Sequence, residues 1–90
     1  MAELKAASLV KSRAGRDKDE LYIIIRTNGE YVYLSDGRKH PVSRLKRKNR
    51  KHLQPINKTD PILRKKLTEG QAVEDGEIRS FISSQRQQEV

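Results

Sequence analysis

The sequence predicts a mainly β protein, a small barrel of short strands followed by two short C-terminal α-helices. Two runs rich in β-branched and aromatic residues, 21–26 and 31–35, flank an Asn-Gly dipeptide, which is typical of a β-hairpin turn. Other short strand-like runs recur at the spacing expected of a barrel. An Asp-Pro pair at 60–61 then opens a pattern with helical spacing.

The first strands are predicted in chain order from residue 8. Residues 8–13 (SLVKSR) read as a strand and 14–20 (AGRDKDE) as a polar connection. Residues 21–26 (LYIIIR) and 31–35 (YVYLS) then pair as a hairpin around the turn at 27–30 (TNGE).

The rest of the barrel is predicted from turn residues and short apolar runs. Asp36 and Gly37 make a second hairpin turn. Residues 38–42 and a short run near 51–54 are further strand candidates, with Pro41 confined to an edge or a bulge.

Two helices are predicted in the last third of the chain. Asp60 is a capping residue, Pro61 suits the first helical position and Gly70 can end the helix. A second helix begins at the cap Asp75 and is expected to pack on the first. The apolar stripes are Ile62, Leu63 and Leu67 in the first helix, and Ile78, Phe81 and Ile82 in the second.

These elements predict four parts of the chain. They are a frayed N-terminal segment at 1–7, the barrel at 8–57, a helical hairpin packed on the barrel at 58–84, and a disordered tail at 85–90.

Composition excludes several classes of protein. The longest apolar run, 21–25, has five residues, whereas a membrane span needs about 20. The start, MAELKAASLVK, lacks the apolar run of a secretory signal, so we expect a cytoplasmic protein. Without cysteine there is no disulfide, thiolate nucleophile or cysteine-ligated zinc.

The positive charge of the chain is concentrated in one segment. The 90 residues carry 20 Lys and Arg against 12 Asp and Glu, a formal net charge of +8. Residues 38–52 (RKHPVSRLKRKNRKH), the basic segment, hold eight Lys and Arg and no acidic residue. Such a block is often a solvated loop or tail. Apolar residues within and after it, Val42, Leu45 and Leu53, favour a segment threaded through a fold.

The run LVKSRAGRDKDELYIII, residues 9–25, resembles a KOW motif. Together with YVYLSDGRKHPV, the basic segment and KHLQPINK, it makes residues 8–82 similar to the small bacterial KOW-domain RNA-binding proteins, relatives of KOW-containing large-subunit ribosomal proteins of archaea and eukaryotes. The resemblance implies an SH3-like β-barrel and binding to RNA or the ribosome. Ser8 and Asp19 stand where the pattern often has glycine, although Asp tolerates a left-handed conformation.

Two regions supply the predicted RNA contacts. Gly15 lets its loop turn tightly or lets a phosphate approach the backbone, and a purely structural turn is the alternative. The clustered cations have the footprint of a polyanion binder, although any one of them can be a solvated side chain. The predicted RNA-binding residues are Arg13, Gly15, Arg16, Lys18, Arg38, Lys39, Arg44, Lys46, Arg47, Lys48, Arg50, Lys51 and His52.

Aromatic side chains are few. Tyr31 and Tyr33 alternate with Val32 and Leu34, so the tyrosines occupy the outer face of their strand and are the candidates for base stacking, although packing at the rim is the alternative. With so little aromatic surface, binding should rest on the nucleic-acid backbone and shape, which favours structured RNA.

Residues for catalysis or metal binding are not suggested by the sequence. His40 and His52 each follow a lysine and have no cysteine or carboxylate cluster beside them. There is no Walker-type phosphate loop and no Ser-His-acid spacing. We therefore expect a binding protein with no cofactor, metal ion or small-molecule substrate, and not an enzyme.

Three functions remain open at this point. The preferred one is binding of structured RNA, most of all ribosomal RNA or the large ribosomal subunit. A protein-interaction module of the transcription or translation apparatus would need an exposed apolar patch. A non-specific nucleic-acid binder would bind duplex DNA and structured RNA equally at matched salt.

Overall fold

Five antiparallel strands and two α-helices form the part of the chain that the computed structural model describes, residues 4–88. The strands form one sheet in the order β4-β3-β2-β1-β5. This confirms the predicted mainly β chain with two helices at its end. The elements are β1 (Ser8–Ser12), β2 (Leu21–Asn28), β3 (Tyr31–Ser35), β4 (Lys46–Asn49), a 3₁₀ turn (Arg50–His52), β5 (Leu53–Thr59), α1 (Pro61–Thr68) and α2 (Asp75–Gln88).

The β2–β3 hairpin is confirmed, with a tighter turn than predicted. Asn28 pairs with Tyr31, so the loop is only Gly29 and Glu30. Gly29 has a φ of +63°, whereas Glu30 does not have a positive φ. A positive φ at the first loop position alone is the pattern of a type II′ turn, so glycine serves here as the first loop residue.

The core consists of two apolar clusters on opposite faces of the central strands. Leu21 and Ile23 of β2 face one cluster, and Tyr22 and Ile24 face the other. Burial on both faces explains why β2 reads as a continuous apolar run. The helix-side cluster comprises Ala7, Leu9, Leu21, Ile23, Leu63, Val73, Ile78 and Ile82, and the strand-side cluster Val10, Tyr22, Ile24, Val32, Leu34 and Leu53.

Helix α1 begins and ends where the sequence predicts. One carboxylate oxygen of Asp60 accepts the N–H groups of Ile62 and Leu63 at 2.8 and 3.3 Å, and Pro61 is the first helical residue. At the other end Gly70 has a φ of +73°, and the Gln71 N–H donates to the Lys66 carbonyl at 2.7 Å. This is a Schellman ending, which needs glycine at the left-handed position.

Helix α2 differs from the prediction at both ends. It continues to Gln88, so the tail expected at 85–90 is wrong for residues 85–88, whereas 89 and 90 lie outside the described residues. Asp75 is not the cap of its own helix, because it is the first helical residue and its carboxylate accepts the N–H of Val42 at 2.8 Å. This contact, like that of Arg79 Nη1 with the Gly37 carbonyl at 2.7 Å, ties α2 to the connection after β3.

The strand predicted at 38–42 is wrong. The Asp36 carboxylate accepts the N–H groups of Arg38 and His40, both at 2.9 Å, and Gly37 has a φ of +74°. Local bonds from a short acidic side chain replace the bonds a strand would make, so this stretch is a compact turn. The fourth strand lies later, at Lys46–Asn49.

Two predicted boundaries also move. Strand β5 starts at Leu53 and continues to Thr59, two residues past the expected end of the barrel at 57. Residues 4–7 are packed and not frayed, since Leu4 contacts the strand-side cluster and the buried Ala7 donates its N–H to the Ile24 carbonyl at 2.7 Å. The rest of the predicted N-terminal segment, 1–3, lies outside the described residues. Among residues 4–88, no helix has the length and apolar character needed to cross a membrane.

Candidate nucleic-acid interface

The loop between β1 and β2 is organised around the carboxylate of Asp17. One carboxylate oxygen accepts hydrogen bonds from Ser12 Oγ at 2.9 Å and from Lys48 Nζ at 2.6 Å. The other oxygen accepts a hydrogen bond from Tyr22 Oη at 2.8 Å. Lys48 Nζ also donates to the Ala14 carbonyl at 3.0 Å. The loop is therefore fastened to β4, 31 residues further along the chain.

This network changes the protonation of its members. Burial alone would raise the pKa of Asp17, but the hydrogen bonds from Lys48, Tyr22 and Ser12, with the charge of Lys48, outweigh it and lower the pKa to about 2. The pKa of Tyr22 is raised, mainly by burial and to a smaller extent by the hydrogen bond to Asp17. Asp17 is therefore a stable anion near neutral pH, paired inside the protein.

Two positions of this loop need a left-handed backbone. Gly15 has a φ of +86°, and a Cβ built there would have only ordinary contacts, 3.6 Å from the Asp17 carboxylate and 3.8 Å from Lys48 Nζ. Asp19 has a φ of +73° and donates its N–H to the Ser12 carbonyl at 2.8 Å. Asp19 thus adopts the left-handed conformation at a position where the KOW pattern often has glycine.

Three cations of the basic segment have hydrogen-bond or ion-pair partners within the protein. Lys46 Nζ lies 3.9 Å from the carboxylate of Asp17. The Lys48 side chain is only 12% exposed and is held by Asp17 and Ala14. Arg50 donates from Nε to the Gly29 carbonyl at 2.6 Å and from Nη1 to the Leu4 carbonyl at 3.3 Å. The side chains of Lys48 and Arg50 therefore stabilise the fold.

A groove of about 590 Å³ lies beside this loop and is called the basic groove here. Five cationic and three acidic side chains line it, a net charge of +2. The acids have internal partners: Asp17 has its donors, Asp36 binds backbone N–H groups, and Glu20 lies 3.2 Å from Arg86. The cations are Arg16, Arg38, Lys39, Lys46 and Lys48.

A second groove, of about 400 Å³, continues around β4. It shares Gly15, Lys46 and Lys48 with the basic groove and adds Arg47 and His52. No acidic residue lines it. The structure thus brings eight of the predicted residues around two adjoining grooves.

The remaining predicted residues lie apart from the two grooves. Arg50 and Lys51 line a separate cavity of about 460 Å³ with Glu30, and Arg13, Lys18 and Arg44 line none of these three. Within residues 4–88, eight predicted cations make no side-chain hydrogen bond or ion pair, namely Arg13, Arg16, Lys18, Arg38, Lys39, Arg44, Arg47 and Lys51.

Sequence reasoning missed the residues that organise the site. Asp17 and Tyr22 were visible only as members of a polar loop and an apolar strand, and no local pattern links either one to Lys48. It also missed Arg26, whose guanidinium carbon lies 4.1 Å from the ring centre of Tyr33. The one available signal was an arginine ending an apolar strand just before the two-tyrosine strand.

No protein-family model matches this chain, and no curated protein matches it. The KOW resemblance therefore stays a prediction from the motif residues. Within the described residues, no group of three His, Cys, Asp or Glu side chains is placed to hold a metal ion.

Proposed function

We propose that this protein binds structured RNA through the basic groove and the adjoining groove around β4. The observation that carries the proposal is that Arg16, Arg38 and Lys39 line one groove while making no hydrogen bond or ion pair with side chains of residues 4–88. The acids beside them bond to other groups of the protein and the groove keeps a net charge of +2, so a phosphate that enters it meets an excess of positive charge.

We also propose that the sheet is an SH3-like KOW barrel. Two irregularities in register, between Ser8 and Val10 and between Ile24 and Arg26, are the kind of bulge that bends a sheet toward closure. The strand-side cluster contains residues from β1, β2, β3 and β5 and none from a helix. Strands that share a core without a covering helix support a sheet that curls on itself.

The ribosomal assignment rests on the KOW resemblance alone. We propose that the target is ribosomal RNA or the large subunit, in the cytoplasm. Crosslinking in the native cells should recover ribosomal RNA at one discrete site, and the protein should co-sediment with large subunits through high salt. Recovery of scattered RNAs and loss from subunits at moderate salt would contradict this part of the proposal.

A charge-neutralising variant tests the RNA interface. Replacing Arg16, Arg38 and Lys39 together with Gln removes three phosphate contacts, so we expect the affinity for a structured RNA to fall about tenfold to a hundredfold near physiological salt. The slope of log K against log salt should become shallower by about 2 to 3. Binding is measured by fluorescence anisotropy over a salt series.

A matched control separates groove binding from total charge. Replacing Lys58, Arg64 and Lys65 with Gln also removes three positive charges, but from exposed positions on β5, at the other edge of the sheet, and on α1. This control should keep most of the affinity. Equal losses in the two variants would point to non-specific electrostatic binding, as would equal competition by duplex DNA. No change in either would refute the RNA interface.

The protein-interaction alternative finds little support on the described surface. Among residues 4–88, the exposed large apolar side chains are Tyr31 and Ile62, 39% and 67% exposed. Two single side chains on different elements do not make the contiguous apolar patch that marks a protein-binding site.

A further inference from the structure

The outer face of the β2–β3–β4 hairpins carries two rows of side chains in register. Arg26, Tyr33 and Arg47 are paired across the three strands, and so are Asn28, Tyr31 and Asn49. Directly opposed residues of antiparallel strands project to the same face. Val32 and Leu34, which alternate with the tyrosines, are fully buried on the other face. These six residues are called the tyrosine face.

A bulge places Arg26 on this face. Ile24 pairs with Leu34 and Arg26 with Tyr33, so Ile25 is an extra residue in β2. In a regular ladder Arg26 would oppose Val32 and point toward the strand-side core. The inserted residue brings the guanidinium to the ring instead, with the guanidinium carbon 4.1 Å from the Tyr33 ring centre.

The second tyrosine is paired in the same way. The guanidinium carbon of Arg47 lies 4.7 Å from the ring centre of Tyr31, and Tyr31 keeps 39% of its surface exposed. Both arginines are exposed, and neither forms an ion pair with a carboxylate among residues 4–88. The face therefore presents aromatic rings and planar cations with no acidic side chain in either row.

We propose that the tyrosine face is a stacking platform for unpaired RNA bases, with Tyr31 as the main contact. Aromatic rings and guanidinium planes both stack on bases, and the two arginines complement the phosphates that accompany them. This inference rests on the proposed RNA binding. It specifies the ligand as RNA with a single-stranded loop or end, because bases stacked within a duplex do not expose their faces.

The platform is continuous with the grooves. Tyr31 and Arg47 line the groove of about 400 Å³ together with Gly15, Lys46 and His52. That groove shares Lys46 with the basic groove. A strand whose phosphates follow the grooves can thus place a base on Tyr31 beside the edge strand β4.

The test compares RNA with and without bases. The probes are a single-stranded oligouridylate of about ten nucleotides and an abasic oligomer with the same number of phosphates. We expect Tyr31→Leu to weaken oligouridylate binding about tenfold and to leave abasic binding unchanged, whereas Tyr31→Phe keeps the wild-type affinity for both. Ile62→Ala, at the other exposed apolar residue, is the control for a general loss of apolar surface.

A fluorescent variant gives an independent readout. The chain contains no tryptophan, so Tyr31→Trp introduces a single reporter at the platform. Its emission should be quenched by oligouridylate and not by the abasic oligomer, because only a stacked base contacts the indole.

The outcomes distinguish the platform from the grooves. If Tyr31→Leu binds oligouridylate as tightly as the wild type, the stacking platform is wrong. The same result is expected if this face docks a protein instead of RNA. The groove proposal survives that result if Arg16, Arg38 and Lys39 still set the salt dependence of structured RNA binding. If the wild-type protein binds neither probe nor structured RNA, both proposals fail.

Discussion

Replacing Gly37 with Ala is expected to lower the free energy of unfolding by about 3 kcal/mol. Gly37 has a φ of +74°, and a Cβ there would lie 2.6 Å from the Asp75 carbonyl oxygen and 2.8 Å from Arg79 Cγ. The left-handed backbone and the overlap with α2 both oppose a side chain. Thermal unfolding followed by circular dichroism should give a Tm lower by about 12 to 24 °C.

Gly29→Ala is the matched control for this prediction. Gly29 has a similar φ of +63°, but no atom lies within 4 Å of the position that a Cβ would take there. Its substitution should lower the free energy of unfolding only by the cost of placing alanine in a left-handed backbone, about 1 kcal/mol. Equal losses at the two glycines would mean that α2 is not seated against the turn after β3 as described.

Replacing Asp17 with Asn is expected to destabilise the protein by about 2 to 3 kcal/mol. The change preserves the shape of the side chain but leaves the ammonium of Lys48, 12% exposed, without its counter-charge. The Asp17 side chain is itself only 15% exposed, so solvent screens the pair weakly. Urea unfolding monitored by circular dichroism measures the loss.

The double variant provides the internal check. In Asp17→Asn with Lys48→Met the buried ammonium of Lys48 is removed together with its counter-charge, so the combined loss should be smaller than the sum of the two single losses. Strict additivity would show that the 2.6 Å contact contributes no coupling energy to the fold.

Acid titration should reveal the same pair. The pKa of Asp17 is lowered from 3.8 to about 2, so its stabilising contribution is complete above about pH 4 and is lost as the pH falls through 2. The contribution amounts to about 2 kcal/mol. Stability measured between pH 5 and pH 2 should therefore fall more steeply for the wild type than for Asp17→Asn. Parallel profiles would contradict this.

The elements predicted most accurately are those whose signals are local. The caps of α1 use bonds between residues at most five apart, from Asp60 to Leu63 and from Gln71 to Lys66, and their sequence signature is equally short. Strand β3 is predicted from alternation, and it begins and ends at the predicted residues, Tyr31 and Ser35. The wrong strand prediction at 38–42 also has a local cause. The Asp36 carboxylate bonds to nearby backbone N–H groups, and strand propensity takes no account of such bonds.

Charge counting located the candidate site but not its working members. Lys39 and Lys48 are equivalent in a count of cations, yet Lys48 is held by Asp17 and Lys39 makes no ion pair within residues 4–88. Arg44, Arg47 and Arg50 are likewise equivalent in such a count. In the structure Arg44 lies in a turn before β4, Arg47 stacks on Tyr31, and Arg50 binds backbone carbonyls.

The sequence by itself determined the hairpin, both ends of α1 and the concentration of positive charge between residues 38 and 52, because hydrophobic period, turn residues and charge are properties of neighbouring positions. Only the tertiary structure decided which cations are free and which face Arg26 occupies. Those outcomes depend on the contact of Lys48 with Asp17, 31 residues apart, and on one extra residue in β2, and the pattern of neighbouring positions determines neither.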